Sequence, residues 1–146
     1  MASSLLEAVD IKAPVAVSWG LWENVERWPA FLSHVKHVQR TDEVTFVWQL
    51  ALPGVDKEFV AELTEVVPGE RIAWRTTQGV HHAGVVTFHR LSATESRVTL
   101  QIEYEPEGFV EHLGALTNLD ATLANYDLGE FQKLAELEAG RVRDDV

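Results

Sequence analysis

The chain has 146 residues, 46% hydrophobic and 24% charged, which fits one globular domain with a true core over residues 1–146. A net charge of -11, from 23 acids against 12 bases, repels phosphate backbones and anionic lipid surfaces, so nucleic acid is excluded as a natural partner. With no cysteine, disulfides, thiolate metal sites and a cysteine nucleophile are ruled out.

The N-terminus lacks a basic stretch followed by an apolar core, and no apolar run approaches the ~18 residues that a membrane span needs. These features predict a cytoplasmic protein without membrane insertion. The charged tail from Gly140 is expected to fray.

In chain order, Leu5 to Ile11 alternates, with Leu5, Val9 and Ile11 on one side and Glu7 interrupting them, and predicts a first strand. Pro14 opens a helix over Val15 to Asn24, where Val15, Trp19 and Trp22 recur at helical spacing. A second short helical turn follows over Glu26 to Leu32, with Trp28 and Phe31 as its buried side. Strands are predicted from Val35 to Arg40 and Glu43 to Leu52, joined tightly at Thr41-Asp42, with Phe46, Trp48, Leu50 and Leu52 sharing a face.

Pro53-Gly54 breaks that run. The strand Lys57 to Val67 places Phe59, Ala61 and Leu63 on one side. Pro68-Gly69 turns into a strand with Ile72, Trp74 and Thr76 inward and Arg71 and Arg75 outward. His82 to Arg90 groups His82, Gly84, Val86 and Phe88, and Arg97 to Glu105 groups Val98, Leu100, Ile102 and Tyr104. After Pro106-Glu107-Gly108 the spacing becomes helical from Phe109 to Ala139, with Leu113, Leu116, Leu123, Tyr126, Phe131 and Leu134 as one stripe. The predicted class is α+β: a curved antiparallel sheet of about seven strands around a long C-terminal helix, with two short helices after the first strand.

Ile11-x-Ala13-Pro14, Trp22-x-x-Val25-x-x-Trp28-Pro29 and Val67-Pro68-Gly69-Glu70-Arg71-Ile72-Ala73-Trp74-Arg75 together resemble the polyketide cyclase/dehydrase branch of the START-like, or SRPBCC, superfamily. Gly84-x-Val86-x-Phe88 and Asp127-Leu128-x-x-Phe131 extend the resemblance to nearly the whole chain. It implies the helix-grip fold and an internal hydrophobic cavity between sheet and long helix. It also implies a hydrophobic small-molecule ligand and no cofactor. Family members include aromatase/cyclases and carriers of lipids or quinones, so the resemblance does not fix a reaction.

Two functions compete. One is a cyclase or dehydratase acting on a polyketide-like or aromatic substrate. The other is a non-catalytic carrier or sensor of a lipid, quinone or aromatic metabolite. For the first, His82 is the candidate acid/base, weighed against a loop-edge imidazole in solvent, and Tyr104 a phenolic hydrogen-bond donor, weighed against a core tyrosine with its hydroxyl satisfied. Trp48 and Trp74 are candidate walls for a planar ligand or, equally, core filler, with Phe46, Phe59, Val86, Phe88, Ile102, Leu116 and Leu123 completing an apolar lining. Asp120 either lies on a solvated helix edge or lines a wet cavity, where it and Tyr126 orient a polar ligand. The aromatase arrangement implied by the resemblance places an arginine in the pocket, whereas Arg71 and Arg75 fall outward here.

His34 with His37, or His81 with His82, match no metal-ligand spacing, and adjacent strand histidines diverge to opposite faces, so no metal site is predicted. The sequence leaves the oligomeric state open between monomer and homodimer.

Overall fold

The structure, a computed structural model, describes residues 3–33, 35–50, 58–78, 81–104 and 119–144. Strand β1 (Ser3–Ile11) precedes helix α1 (Val15–Glu23), a 3₁₀ helix (Val25–Ala30) and six further strands. These are β2 (Val35–Arg40), β3 (Thr45–Leu50), β4 (Glu58–Val67), β5 (Arg71–Gln78), β6 (His82–Arg90) and β7 (Ser96–Tyr104). A long helix, α2 (Leu119–Asp144), ends the described chain. The seven strands form one antiparallel sheet in the order β1-β7-β6-β5-β4-β3-β2, curled around the helices as a helix-grip fold.

Alternation built this sheet as the sequence predicts. Phe46, Trp48, Phe59, Ala61, Ile72, Trp74, Val86, Phe88, Val98 and Leu100 are all buried on its inner face. Register shifts in β4, between Val60 and Ala61 and between Leu63 and Glu65, add local twist and bend to its centre. At Val67-Pro68-Gly69-Glu70 the chain reverses: Glu70 N–H donates to the Val67 carbonyl at 2.9 Å, and Gly69 takes φ 75°. That is a type II turn, whose third position favours glycine and whose second favours proline.

Strand β3 begins at Thr45 rather than Glu43. The Asp42 carboxylate accepts the N–H groups of Val44 at 2.9 Å and Thr45 at 2.7 Å, which bends residues 42–44 and holds this carboxyl below its ordinary pKa. The second helical turn is a 3₁₀ helix starting at Val25, capped by Asn24 Oδ1, which accepts from Glu26 N–H at 3.2 Å.

Helix α2 runs past Ala139 to Asp144. Its inner stripe is Ala124, Asp127, Leu128, Phe131, Ala135 and Ala139, with Leu134 packed at the edge of the core. Tyr126, expected inward, is 57% exposed because it lies on the opposite side of the helix from Leu128 and Phe131. Leu113 and the expected helical segment 109–118 lie outside the described residues, as does Leu52.

Both sheet edges meet helical elements. On the β1 side, Gln132 Nε2 donates to the Asp10 carbonyl at 2.8 Å and Lys12 N–H donates to Glu136 Oε2 at 3.0 Å. These one-turn-spaced side chains satisfy backbone groups that an edge strand otherwise leaves open. The β2 side packs against the 3₁₀ helix.

A buried hydroxyl relay joins α1 to the sheet. Ser96 Oγ donates to the Ala13 carbonyl at 2.8 Å, which leaves Ser18 Oγ to donate to Ser96 Oγ at 2.9 Å, and all three residues are fully buried. Ser96→Ala removes the donor to a carbonyl that water cannot reach. We expect it to lower unfolding free energy by about 1–3 kcal/mol, read from urea denaturation at an unchanged m-value.

Candidate functional site

Strand β3 ends at Leu50, β4 begins at Glu58, β5 ends at Gln78, β6 begins at His82 and β7 ends at Tyr104. The pairs Gln49 with Glu58, Val60 with Gln78, and His82 with Tyr104 put these termini at one end of the sheet. There the inner face carries Trp48, Phe59, Trp74, Thr76 and His82.

His82 is 7% exposed, although it opens a strand. Its imidazole lies 5.1 Å from the Trp48 ring and 6.4 Å from the Trp74 ring, the latter at an interplanar angle of 24°. Trp48 and Phe59 are cross-strand partners with ring centroids 4.9 Å apart. His82 N–H donates to Thr76 Oγ1 at 3.0 Å, tying the start of β6 to β5. An imidazole offers a donor and an acceptor on one ring, and its ordinary pKa lies closest to neutrality among the side chains. Here it is set among aromatic faces, where polar contacts are stronger than in water.

Trp74 faces Gly84 across the β5–β6 pair. A Cβ at Gly84 would sit 2.2 Å from Trp74 Cζ2 and 2.6 Å from its Cε2, so the indole lies directly over the glycine. Trp22 of α1 stacks above it at 6.5 Å and 16°. Trp28 lies 4.8 Å from Trp74 and donates Nε1–H to the Trp22 carbonyl at 3.0 Å. Phe31 and Phe131 close around Trp22 at 4.9 and 5.5 Å.

The sequence-predicted residues therefore divide. Trp48, Phe59, Trp74 and His82 come together. Phe46 packs against Trp28 at 5.4 Å and Phe88 against Trp19 at 5.4 Å, so both are filled core, as is the fully buried Val86. Ile102 is half-buried on β7 and pairs with Gly84. Tyr126 is on the solvent side of α2 and does not join the group. Leu116 lies outside the described residues, as do the side chains of Tyr104, Asp120 and Leu123; in backbone register Tyr104 is directly opposite His82.

Arg71 and Arg75 point outward, paired with Glu65 at 2.7 Å and Glu62 at 3.1 Å. His81 also faces outward, 2.9 Å from Glu103, so the two adjacent histidines diverge. His37 is exposed and His34 lies outside the described residues.

Sequence reasoning missed Thr76 as a partner of His82, Trp22 as the lid of the aromatic stack, and Asp127 as a buried acid. Asp127 is 1% exposed, and its Oδ1 accepts from Ser33 N–H at 3.1 Å and from Ser33 Oγ at 2.8 Å. Its helical phase with Ala124, Leu128 and Phe131 was the available signal.

A family model described as polyketide cyclase/dehydrase and lipid transport matches residues 11–133. The chain belongs to this family. An uncharacterized 17.2 kDa protein from the melC2–rnhH intergenic region of Streptomyces lincolnensis is 38% identical over 136 residues, covering 92% of this chain and 90% of that protein. A solved protein of Deinococcus radiodurans is 25% identical with a TM-score of 0.74, over 93% of this chain and 99% of that one. The Zhui aromatase/cyclase of Streptomyces sp. R1128 has a TM-score of 0.75 at 16% identity, over 93% and 94% of the two chains. A START superfamily protein from Mycobacterium smegmatis aligns at 0.71 and 11% identity, over 95% and 98%. At such identities the last two show a shared fold alone.

The Trp74–Gly84 contact is testable on its own. Gly84→Ala forces the indole off the sheet and out of its stack with Trp22. We expect a loss of about 1–3 kcal/mol and a changed near-ultraviolet circular dichroism spectrum; wild-type values for both would show that the contact is not tight.

Proposed function

We propose that the protein binds a hydrophobic polyketide or aromatic small molecule on the inner surface of the sheet at the His82 end and promotes its cyclisation and dehydration. The observation that carries this reading is a buried imidazole set among Trp48, Phe59 and Trp74 at the strand ends. Family membership and the likeness to an aromatase/cyclase in fold support it. The Trp48 and Phe59 rings, with the edge of Trp74, hold a flat, folded substrate. His82 takes a proton from a carbon between two carbonyls, and the resulting enolate carbon attacks a further carbonyl of the same molecule. The imidazolium returns the proton to the new alkoxide, and loss of water completes the dehydration. Tyr104, opposite His82 in register, is assigned the hydrogen bond to the carbonyl under attack. No cofactor is needed, and the cytoplasm is the assigned compartment.

A second reading, a carrier or sensor of a lipid, quinone or aromatic metabolite, is favoured by one specific feature. The arginines of β5 are engaged with glutamates on the outer face and supply no cation inside.

Native mass spectrometry of freshly purified protein, followed by denaturing extraction, separates the two. A polycyclic adduct supports the cyclase and a quinone or fatty acid the carrier. With a synthetic poly-β-ketone thioester as substrate, His82→Phe is expected to lower turnover by about 10²–10⁴-fold with folding retained. Unchanged turnover in both His82→Phe and Tyr104→Phe would overturn the assignment of these residues.

A further inference from the structure

The outer face of α2 carries two of the large exposed hydrophobic side chains of the described chain, Tyr126 at 57% and Leu137 at 54%. Between them lie Glu130 and Lys133, whose Oε1 and Nζ are 3.3 Å apart, with Lys133 77% exposed. At 100° per residue these four positions fall within about 60° of one another, on the side of the helix away from Leu128 and Phe131. An outward stripe of tyrosine, acid, base and leucine at spacings of four, three and four is not what solvation alone requires of a helix.

The order of that stripe is self-complementary. When two such helices run antiparallel about a two-fold axis centred between Phe131 and Gln132, Tyr126 comes level with Leu137 of the second copy. Glu130 comes level with Lys133 of the second copy, and the reciprocal pairs repeat by symmetry. Each apolar side chain meets an apolar one, and each charge meets its opposite. On the flank beside the stripe, a Cβ added at Gly129 would meet no atom of the described residues within 4 Å.

We infer that two copies of this protein associate through the outer faces of α2, antiparallel, with Tyr126 and Leu137 as the apolar contacts and Glu130 and Lys133 as the exchanged ion pairs. The occupant of the face is a second copy because the charge pattern complements itself under the two-fold. The contact is a few helical turns long, so the dimer is reversible and half-forms at about 10–100 µM, the strength of a small interface.

Sedimentation equilibrium across that range tests it against the 16.4 kDa monomer mass. Glu130→Lys and Lys133→Glu each gather four like charges at the seam, and each is expected to weaken self-association at least about tenfold while circular dichroism stays native. Mixed together, the two variants are expected to form a heterodimer at least as strong as the wild-type dimer, because one helix is then doubly basic and the other doubly acidic. Leu137→Ser is expected to weaken the wild-type dimer as well. Three results would each overturn the proposal: a wild-type protein that stays monomeric throughout, single variants that self-associate like wild type, or a mixture that does not associate.

Discussion

Trp74 can lie flat on the sheet because the residue facing it across β5 and β6 has no side chain, and the arrangement of the interior follows from that contact. With the indole at floor level, its upper face is available to Trp22, which stacks on it nearly parallel, and its edge to Trp28. The rings of Trp22, Trp74 and His82 then succeed one another at similar tilt. Any side chain at position 84 would lift Trp74, and through it Trp22 and the start of the helical layer. The glycine is thus a spacing element: it sets how far α1 stands off the sheet. Its effect reaches the His82 end because the same indole borders the imidazole.

The other helical elements are fixed from the side. The segment after α1 runs antiparallel along α2, as three contacts show: Arg27 with Glu138 at 3.1 Å, Phe31 with Phe131 at 5.1 Å, and Ser33 with Asp127 at 2.8 Å. Only the last is buried deeply enough for its polarity to matter greatly. A carboxylate withdrawn from water is costly unless donors replace its hydration, and Ser33 supplies two of them. Asp127 therefore acts as an anchor between the loop and the helix. This explains why an acid occupies the inner stripe of α2 beside Leu128 and Phe131 without belonging to the His82 group.

What the sequence discloses follows the strength of each periodicity. Strands repeat every two residues, so apolar residues in alternate positions settle the inward set: parity places Trp74, Trp48 and Phe59 inward and groups His82 with Gly84, Val86 and Phe88, while the burial of that imidazole runs against the solvated loop edge that its place at a strand start suggests. The helix was harder to read because its inner stripe is built largely of Ala124, Ala135 and Ala139, which carry little hydrophobic signal, while the bulkier Tyr126 and Leu137 face out. Hydropathy followed size and therefore put Tyr126 on the wrong side. The start of β3 was misplaced for a local reason, since Asp42 takes two backbone N–H groups that a strand would otherwise use. The stack of Trp22 on Trp74 was out of reach because it joins segments far apart in the chain, and no periodicity encodes such a contact.

The polarity of the inner face also bears on how a member of this family can work. At the His82 end the described inner face presents an imidazole and the Thr76 hydroxyl that holds its backbone, while the basic residues of β5 are engaged outside. Electrostatic stabilisation by a guanidinium is therefore not provided from that strand. Confinement remains: holding a flexible chain with its reacting carbons near contact supplies about 7–11 kcal/mol of a barrier in favourable cases. Aromatic faces fixed by packing, rather than by mobile polar side chains, suit that task because they restrict a flat substrate without specifying its substituents. In the cyclase proposed above, the rigidity conferred by Gly84, Trp74 and Trp22 would serve the chemistry, and the single imidazole of His82 would move the proton.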